Sequence, residues 1–182
     1  IKKKNSKKNN ILFINKIFKK TNSKNTISKL LEILDKRKLL EKKKFKIKIN
    51  KHIPNKAGLG GGSMNAASIL NYFVKKKIIK INKKEIIKIS KLIGSDVILG
   101  LNFSNSILNQ RNKIKYFSNY KKFYVLIVKP NFGCSSREIY SIVRKFSKPK
   151  FSRPIKKMFD FEYLKKMSNA LEPIALAKYS KL

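Results

Sequence analysis

The stretch Ile53–Ser68, IPNKAGLGGGSMNAAS, holds four of the seven glycines in a chain of 182 residues. Glycine concentrated in this way marks a place where the backbone turns sharply or comes close to another group. The alternating segment KFKIKINKHI, at 44–53, precedes the glycines, and alanines with helically spaced apolar residues follow them. This order predicts a strand, a glycine-rich loop and then a helix.

A strand, a glycine loop and a helix in this order can hold a phosphate group, because the first amides of a helix have no partner and its dipole is positive there. A Walker loop needs lysine after its last glycine, but Gly62 is followed by Ser63. A dinucleotide fingerprint that begins at Gly58 would need glycine at position 63. We interpret the loop as a phosphate cradle of a third type, with Ser63 capping the helix, and a flexible turn is the alternative.

The rest of the chain alternates between helical and strand patterns, which predicts a protein of mixed helices and strands. Asn25 or Thr26 is expected to cap the first helix, and in the third helix Ile86, Ile89, Leu92 and Ile93 are expected to face inward. Gly94 is expected to end that third helix as its left-handed glycine. The predicted helices cover about 26–40, 63–77, 84–93, 135–146, 161–170 and 173–179, and a buried strand is predicted at 123–128.

The chain carries 46 Lys and Arg against 9 Asp and Glu, a formal net charge of +37. Such a charge would attract phosphates and leaves a nucleic-acid-binding module as an alternative function. The lysines are interleaved with isoleucine and asparagine along the whole chain, as in IIKINKKEIIKIS at 78–90, rather than gathered in one block. We therefore attribute the charge to a general compositional bias of the organism from which the chain comes, and we expect no nucleic-acid partner.

Several classes of protein are excluded by what the sequence lacks. Cys134 is the one cysteine, so no internal disulfide and no cysteine-built metal site is possible, which favours a reducing, cytoplasmic compartment. His52 is the one histidine and is interpreted as a surface residue. No apolar run reaches the roughly 18 residues of a membrane span, and nothing near the start resembles a signal peptide. We expect no membrane partner and predict no metal site built from protein ligands.

Asp96, in LIGSDVILGL at 92–101, is the one acid between Glu85 and Glu138 and has mostly apolar neighbours. A carboxylate in such surroundings is either a local cap or a working group. The helix after the glycine loop leads away from it and the next helix returns, so Asp96 is predicted to lie near the phosphate site. There it could accept a proton from a hydroxyl that attacks the terminal phosphoryl group of ATP.

Four motifs in order resemble those of the GHMP small-molecule kinases, in the branch that acts on 4-diphosphocytidyl-2-C-methyl-D-erythritol. The glycine stretch is similar to P-x-x-x-G-L-G-G-G-S-S-N-A-A, and LIGSDVILGL is similar to L-G-x-D-V-P. The segments VKPNFGCSSREIYS at 128–141 and NALEPIA at 169–175 resemble P-x-x-x-V-S-T and N-D-L-E-P. The resemblance extends from about Asn25 to Leu182.

The resemblance implies a partial α+β fold, the two-domain GHMP kinase fold, with a ribosomal protein S5 domain 2-like first domain over 1–120 and the start of a ferredoxin-like second domain over 121–182. It implies transfer of phosphate from ATP, with Mg²⁺, to a hydroxyl of the cytidine diphosphate sugar alcohol in the non-mevalonate isoprenoid pathway. It makes Asp96 the catalytic residue, Lys51 a nucleotide contact, and Ser135 and Ser136 substrate contacts. The ATP loop that it implies comprises Pro54, Asn55, Lys56, Ala57, Gly58, Leu59, Gly60, Gly61, Gly62, Ser63, Met64 and Asn65.

The chain departs from the family pattern at four places. Met64 stands where the second serine of G-G-G-S-S is usual, and Ile98 stands where proline is usual. The family's amino-terminal P-A-K-L-N segment and its carboxy-terminal G-x-G motif are absent from the sequence. We therefore expect a piece of a longer kinase that is inactive alone. Other GHMP kinases, acting on homoserine, mevalonate or a sugar, and an inactive relative remain alternatives.

Overall fold

The structure is a computed structural model that describes residues 1–4, 6–14, 25–54, 56–109, 113–118, 123–146, 148 and 153–181. These residues cluster into two compact units. The first unit consists of Ile1–Ile53 and Gly60–Phe103, and the second consists of Pro54–Leu59 and Ser104–Leu182. The predicted domain boundary near residue 120 stays a prediction, and residues 119–122 lie outside the described ranges.

The first unit contains a three-stranded sheet, three helices and a short 3₁₀ helix. The strands β1 (Lys2–Lys4), β2 (Asn10–Phe13) and β3 (Lys44–Ile49) lie in the order β1-β3-β2, with β1 antiparallel and β2 parallel to the central β3. The helices are α1 (Thr26–Lys36), α2 (Gly61–Lys75) and α3 (Lys83–Ile93). A 3₁₀ helix over Ser95–Leu101, called here the 95–101 segment, follows α3.

The strand predicted from alternation is β3, which ends at Ile49, before the predicted limit at residue 53. Phe45 and Ile47 are buried while Lys48 is exposed, as expected of a strand with one buried face and one solvent-exposed face. The Phe45 ring packs against the Phe73 ring of α2 with the ring centroids 4.8 Å apart. The sheet is therefore held against the helix that follows the glycine loop.

Helix α1 begins where the sequence predicts and ends earlier. The Asn25 side chain accepts hydrogen bonds from the amides of Ile27 and Ser28, which caps the helix. The helix ends at Lys36 and not near residue 40, because Lys38 takes a left-handed φ of 58° and the Leu39 amide turns back to the Leu34 carbonyl at 3.0 Å. Apolar spacing continues through the turn, so the pattern alone did not show this end.

Two details predicted for the third helix are wrong. Gly94 has a φ of 179°, an extended conformation and not the left-handed one expected of a terminal glycine. Leu92 is 47% exposed, whereas Ser90 is fully buried in its place and donates to the Ile87 carbonyl at 2.9 Å. Ile89 and Ile93 border the face of the helix that points inward. This face is narrower than the predicted set of four inward-facing apolar residues indicated.

The second unit contains a two-stranded antiparallel sheet and short helices. The strands are β4 (Asn105–Leu108) and β5 (Ile114–Phe117). The helices are α4 (Ser136–Ser141), α5 (Phe161–Lys165) and α6 (Glu172–Lys178), with a 3₁₀ turn over Lys156–Phe159. Helices α4 and α5 are shorter than predicted, and α5 buries none of its side chains, so little packing is available to extend it.

The buried strand predicted at 123–128 is not formed. The segment is irregular, and the side chains of Tyr124 and Leu126 are exposed at 103% and 91%. A strand exists only when it hydrogen-bonds to a neighbour, and among the described residues no strand pairs with this segment. An apolar run indicates the tendency to form a strand but cannot supply the partner.

Within the described ranges, none of the helices combines the length and the apolar character that a membrane crossing requires.

Leu70 and Leu92 form a matched pair for testing the core of the first unit. Leu70 on α2 is fully buried, whereas Leu92 on α3 is half exposed. We expect Leu70→Ala to lower the free energy of unfolding by about 2–5 kcal/mol, because it removes buried methyl groups and leaves a cavity. Leu92→Ala should change it by less than about 1 kcal/mol. Urea unfolding followed by circular dichroism measures both, and equal losses would contradict this core.

Candidate functional site

The glycine stretch opens directly into α2, two residues earlier than predicted. Gly60 precedes the helix with a left-handed φ of 63°, a conformation that glycine adopts without strain, and it makes no side-chain cap. The first helical bond is donated by the Met64 amide to the Gly60 carbonyl at 3.0 Å. The amides of Gly61, Gly62 and Ser63 therefore have no partner within the helix. Ser63 is its third residue, so the prediction that Ser63 is the cap is wrong.

The start of α2 is held by α1 and by the residue before the loop. The Thr26 hydroxyl donates to the Gly62 carbonyl at 2.7 Å. A Cβ added at Gly61 would lie 3.5 Å from the Ile53 side chain, an ordinary contact distance. Thr26, predicted only as a possible cap of its own helix, thus holds the helix that follows the glycines. No local pattern indicates this contact, because the two residues are 36 positions apart.

Asp96 lies in the first turn of the 95–101 segment, where it is exposed. The Ser95 hydroxyl donates to Asp96 Oδ1 at 3.0 Å. Before Asp96, the Ile93 carbonyl accepts a bond from Lys29 Nζ at 3.0 Å. Lys29 lies one turn beyond Thr26 on the same face of α1. The same end of α1 therefore binds both the start of α2 and the backbone just before Asp96.

After Asp96, the 95–101 segment is attached to α2 itself. Asn71 on α2 donates from Nδ2 to the Leu101 carbonyl at 3.0 Å. Gly100 lies so close to α2 that an added Cβ would be 2.9 Å from Met64 Sδ. The first unit therefore contains both Asp96 and the amides of α2 that have no partner within the helix, on elements that pack against each other.

The first half of the glycine stretch, Pro54–Leu59, groups with the second unit, and Asn55 lies outside the described residues. The Lys56 carbonyl accepts a hydrogen bond from the Cys134 amide at 3.1 Å. Gly133 lies beside Lys56, where an added Cβ would be 2.6 Å from the Lys56 Cβ. The segment that includes the predicted substrate residues is thus bonded to the loop backbone at Lys56.

Ser135 and Ser136 begin α4, and Ser135 acts as its cap. The Ser135 hydroxyl accepts from the Glu138 amide at 3.4 Å, and the Ser135 amide donates to the Tyr179 hydroxyl at 3.4 Å. That hydroxyl donates to Glu138 Oε2 at 2.9 Å. Ser136 is exposed in the first turn. Contact of Ser135 and Ser136 with a substrate stays a prediction.

The hydrogen bond from Tyr179 lowers the pKa of Glu138, and the cations Lys178 and Lys56 lower it further, while burial opposes the shift. Tyr179 also stacks on Phe132, with ring centroids 6.1 Å apart. Sequence reasoning missed Glu138 and Tyr179, which are 41 positions apart.

Lys51, between β3 and the loop, is half-buried, and this burial lowers the pKa of its ammonium group. A bound anion nearby would favour the charged form again. His52 is exposed, as predicted. Among the residues that the structure describes, no three of His, Cys, Asp and Glu come together in a way that could hold a metal ion.

Comparison with known proteins identifies similar sequences and a similar fold. Residues 24–108 match the model of the GHMP kinases N terminal domain. The chain is 56% identical over 178 residues to the 4-diphosphocytidyl-2-C-methyl-D-erythritol kinase of Pelagibacter ubique (strain HTCC1062), a match that covers 98% of this chain and 63% of that protein. The protein of the same name from Buchnera aphidicola subsp. Schizaphis graminum (strain Sg) is 34% identical, over 88% of this chain and 56% of that protein.

A crystal structure of 4-(cytidine 5'-diphospho)-2C-methyl-D-erythritol kinase matches 96% of this chain and 63% of its own, with a TM-score of 0.60 and 18% sequence identity. At that identity the match shows a shared fold of mixed helix and strand. The resemblance to the GHMP kinase family is confirmed by these matches. The chain spans less than two thirds of the length of these relatives.

Tyr179→Phe tests the polar cluster at the start of α4. Loss of the hydroxyl should raise the pKa of Glu138 toward its ordinary value of 4.5. Because a lowered folded-state pKa adds stability above the unfolded value, and this is lost as the pH falls through the folded value, the variant should lose less stability on acidification below about pH 4.5. A carbon-detected NMR titration of the Glu138 carboxyl measures the pKa.

Tyr140→Phe is the matched control, because Tyr140 lies on the same helix and is 64% exposed. It should leave the Glu138 titration unchanged. An unchanged pKa of Glu138 in Tyr179→Phe would show that the Tyr179 hydroxyl does not bind this carboxylate in solution.

Proposed function

We propose that this chain, whose sequence and fold match the GHMP kinases, is the part of an ATP-dependent kinase that binds the triphosphate and activates the acceptor hydroxyl. The proposed acceptor is 4-diphosphocytidyl-2-C-methyl-D-erythritol, in the non-mevalonate isoprenoid pathway. The 56% identity to a kinase of that name supports this substrate. Because the chain spans 63% of that relative, the activity is proposed for the whole protein.

One observation carries the proposal: the start of α2 presents three backbone amides without helical partners, and the element that bears Asp96 packs on the same helix. Amides at a helix start attract anions, both by hydrogen bonding and by the helix dipole. Glycine at positions 61 and 62 leaves no side chain between these amides and a phosphate. Triphosphate oxygens would be held at this helix start.

Asp96 is proposed as the general base. Its carboxylate accepts the proton of the acceptor hydroxyl while that oxygen attacks the γ-phosphorus of ATP. The new P–O bond forms as the bond to the β,γ-bridging oxygen breaks, and ADP leaves. The exposure of Asp96 leaves room for an acceptor beside it.

Mg²⁺ is proposed to arrive with ATP rather than to occupy a site of its own. Mg²⁺ is usually bound by one or two carboxylates together with substrate phosphates. Among the described residues, no three of His, Cys, Asp and Glu come together to hold the ion, so the phosphates of ATP would supply most of its ligands. When bound, the ion would neutralise charge on the phosphates.

The remaining contacts are proposed from the resemblance. Lys51 and Pro54–Asn65 would contact ATP, and Ser135 and Ser136 would contact the acceptor. The S5 domain 2-like and ferredoxin-like domains, divided near residue 120, and a cytoplasmic location complete the proposal. The half-buried ammonium of Lys51 supports its part, because an anion would compensate that burial.

Asp96→Asn tests the proposed base. A suitable host is a chimera in which this chain replaces the 178 matching residues of the Pelagibacter ubique relative. We expect kcat to fall by about 10²–10⁴-fold, because the amide cannot accept the proton. The Kd for MgATP, from calorimetric titration, should change little, since the amides of α2 are unaltered.

Asp160→Asn is the control, because Asp160 is an exposed acid of the second unit that makes no side-chain cap. It should retain full turnover. Unchanged turnover in Asp96→Asn would remove the proposed base. If the unsubstituted chimera phosphorylates homoserine or mevalonate faster, the proposed acceptor is wrong. The proposed phosphate site and base would not be contradicted by that result.

A further inference from the structure

Met64, the residue that departs from the family's serine, faces Gly100 of the 95–101 segment. A Cβ built on Gly100 would lie 2.9 Å from Met64 Sδ and 3.1 Å from Met64 Cε. The same Cβ would lie 2.8 Å from the Cβ of Ala67. Such separations are shorter than side chains tolerate, so position 100 has no room for any residue but glycine unless the backbone moves.

The two obstacles differ in how easily they can give way. The end of the Met64 side chain is flexible and can rotate aside. Ala67 is fully buried in the body of α2, and its Cβ moves only with the helix. A side chain at position 100 would therefore displace the 95–101 segment from α2.

The contact belongs to a row of residues along one face of α2. Met64, Ala67 and Asn71 follow at spacings of three and four, which places them on one side of a helix. The Asn71 amide binds the Leu101 carbonyl at 3.0 Å, next to Gly100. The end of the 95–101 segment is thus fixed to α2 by close packing and by a hydrogen bond, with Asp96 at its beginning.

We propose that Gly100 is a positioning residue for the phosphoryl transfer. Because Gly100 has no side chain, the 95–101 segment packs directly on Met64 and Ala67. This packing contact sets how far Asp96 lies from the amides at the start of α2. The bulk of Met64 is accommodated by the glycine opposite. The inference rests on the proposed function, because it matters only if those amides and Asp96 act on one substrate pair.

Gly100→Ala in the same chimera tests this packing contact. We expect kcat to fall roughly 10- to 100-fold, because a shift of about 1 Å in a reacting group has an effect of that size. The KM for ATP should stay nearly unchanged, since the start of α2 keeps its conformation. Ala67→Gly in the Gly100→Ala background removes the methyl group on the other side and should restore most of kcat.

A double-mutant cycle with Asp96→Asn separates positioning from a general loss of structure. If Gly100 acts through Asp96, Gly100→Ala should have little further effect on kcat in the Asp96→Asn background. All assays are run below the melting temperature of each variant, measured by circular dichroism. Ala67→Gly alone should lower that melting temperature, because glycine inside a helix is destabilising.

The outcomes distinguish the two proposals. If Asp96→Asn lowers kcat but Gly100→Ala has the same effect in both backgrounds, or is not rescued by Ala67→Gly, the positioning role is overturned and the proposed function stands. If Asp96→Asn leaves kcat unchanged, or the unsubstituted chimera is inactive, both are overturned. If Gly100→Ala lowers the melting temperature but does not lower kcat, the positioning role is also overturned.

Discussion

The arrangement of the candidate site depends on one constraint, the close packing of the 95–101 segment on α2. A helix start with unpaired amides attracts an anion wherever it occurs, but transfer of a phosphoryl group also needs a base at a defined distance. Here the close contact at Gly100 and the bond from Asn71 to the Leu101 carbonyl fix the segment that carries Asp96. Thr26 and Lys29 of α1 bind the start of α2 and the backbone before Asp96, so one helix supports both elements.

The lysine-rich composition shapes the fold at positions where other proteins use glycine. Lys38 and Lys77 both take left-handed conformations just after a helix, and in each case the next amide bonds back to the last turn. Glycine is the usual residue at such positions, because a side chain is strained there. Four of the seven glycines lie instead in the stretch Ile53–Ser68, where Gly58 and Gly60 take positive φ values. Gly100 and Gly133 lie where an added Cβ would be less than 3.0 Å from a neighbouring side chain.

Local patterns predicted those parts of the fold that depend on neighbours in sequence. The alternation of Phe45 and Ile47 with lysines gave strand β3, and Asn25 gave the start of α1. The end of α1 was missed because lysine gives no signal for a left-handed turn. The segment at 123–128 was predicted as a buried strand because its residues are apolar, but pairing depends on a partner elsewhere.

The candidate site shows the same division. The glycine stretch and Asp96 were recognisable because each is unusual in its surroundings. Thr26 and Gly100 were not, since their contacts join residues far apart in the chain. The bond between Glu138 and Tyr179 in the second unit was missed for the same reason. Ser63 was assigned as a cap because serine often is one, whereas a left-handed Gly60 lets the helix begin two residues earlier.

The most direct measurement is a nitrogen–proton correlation NMR titration of the chain with MgATP, in which each backbone amide is observed separately. Binding at the helix start predicts that the largest shifts occur at the amides of Gly61, Gly62 and Ser63, and that they saturate with a single Kd. Shifts spread over lysine-rich surfaces such as α3, weakening steeply with salt and without saturation at these three amides, would contradict phosphate binding at the start of α2.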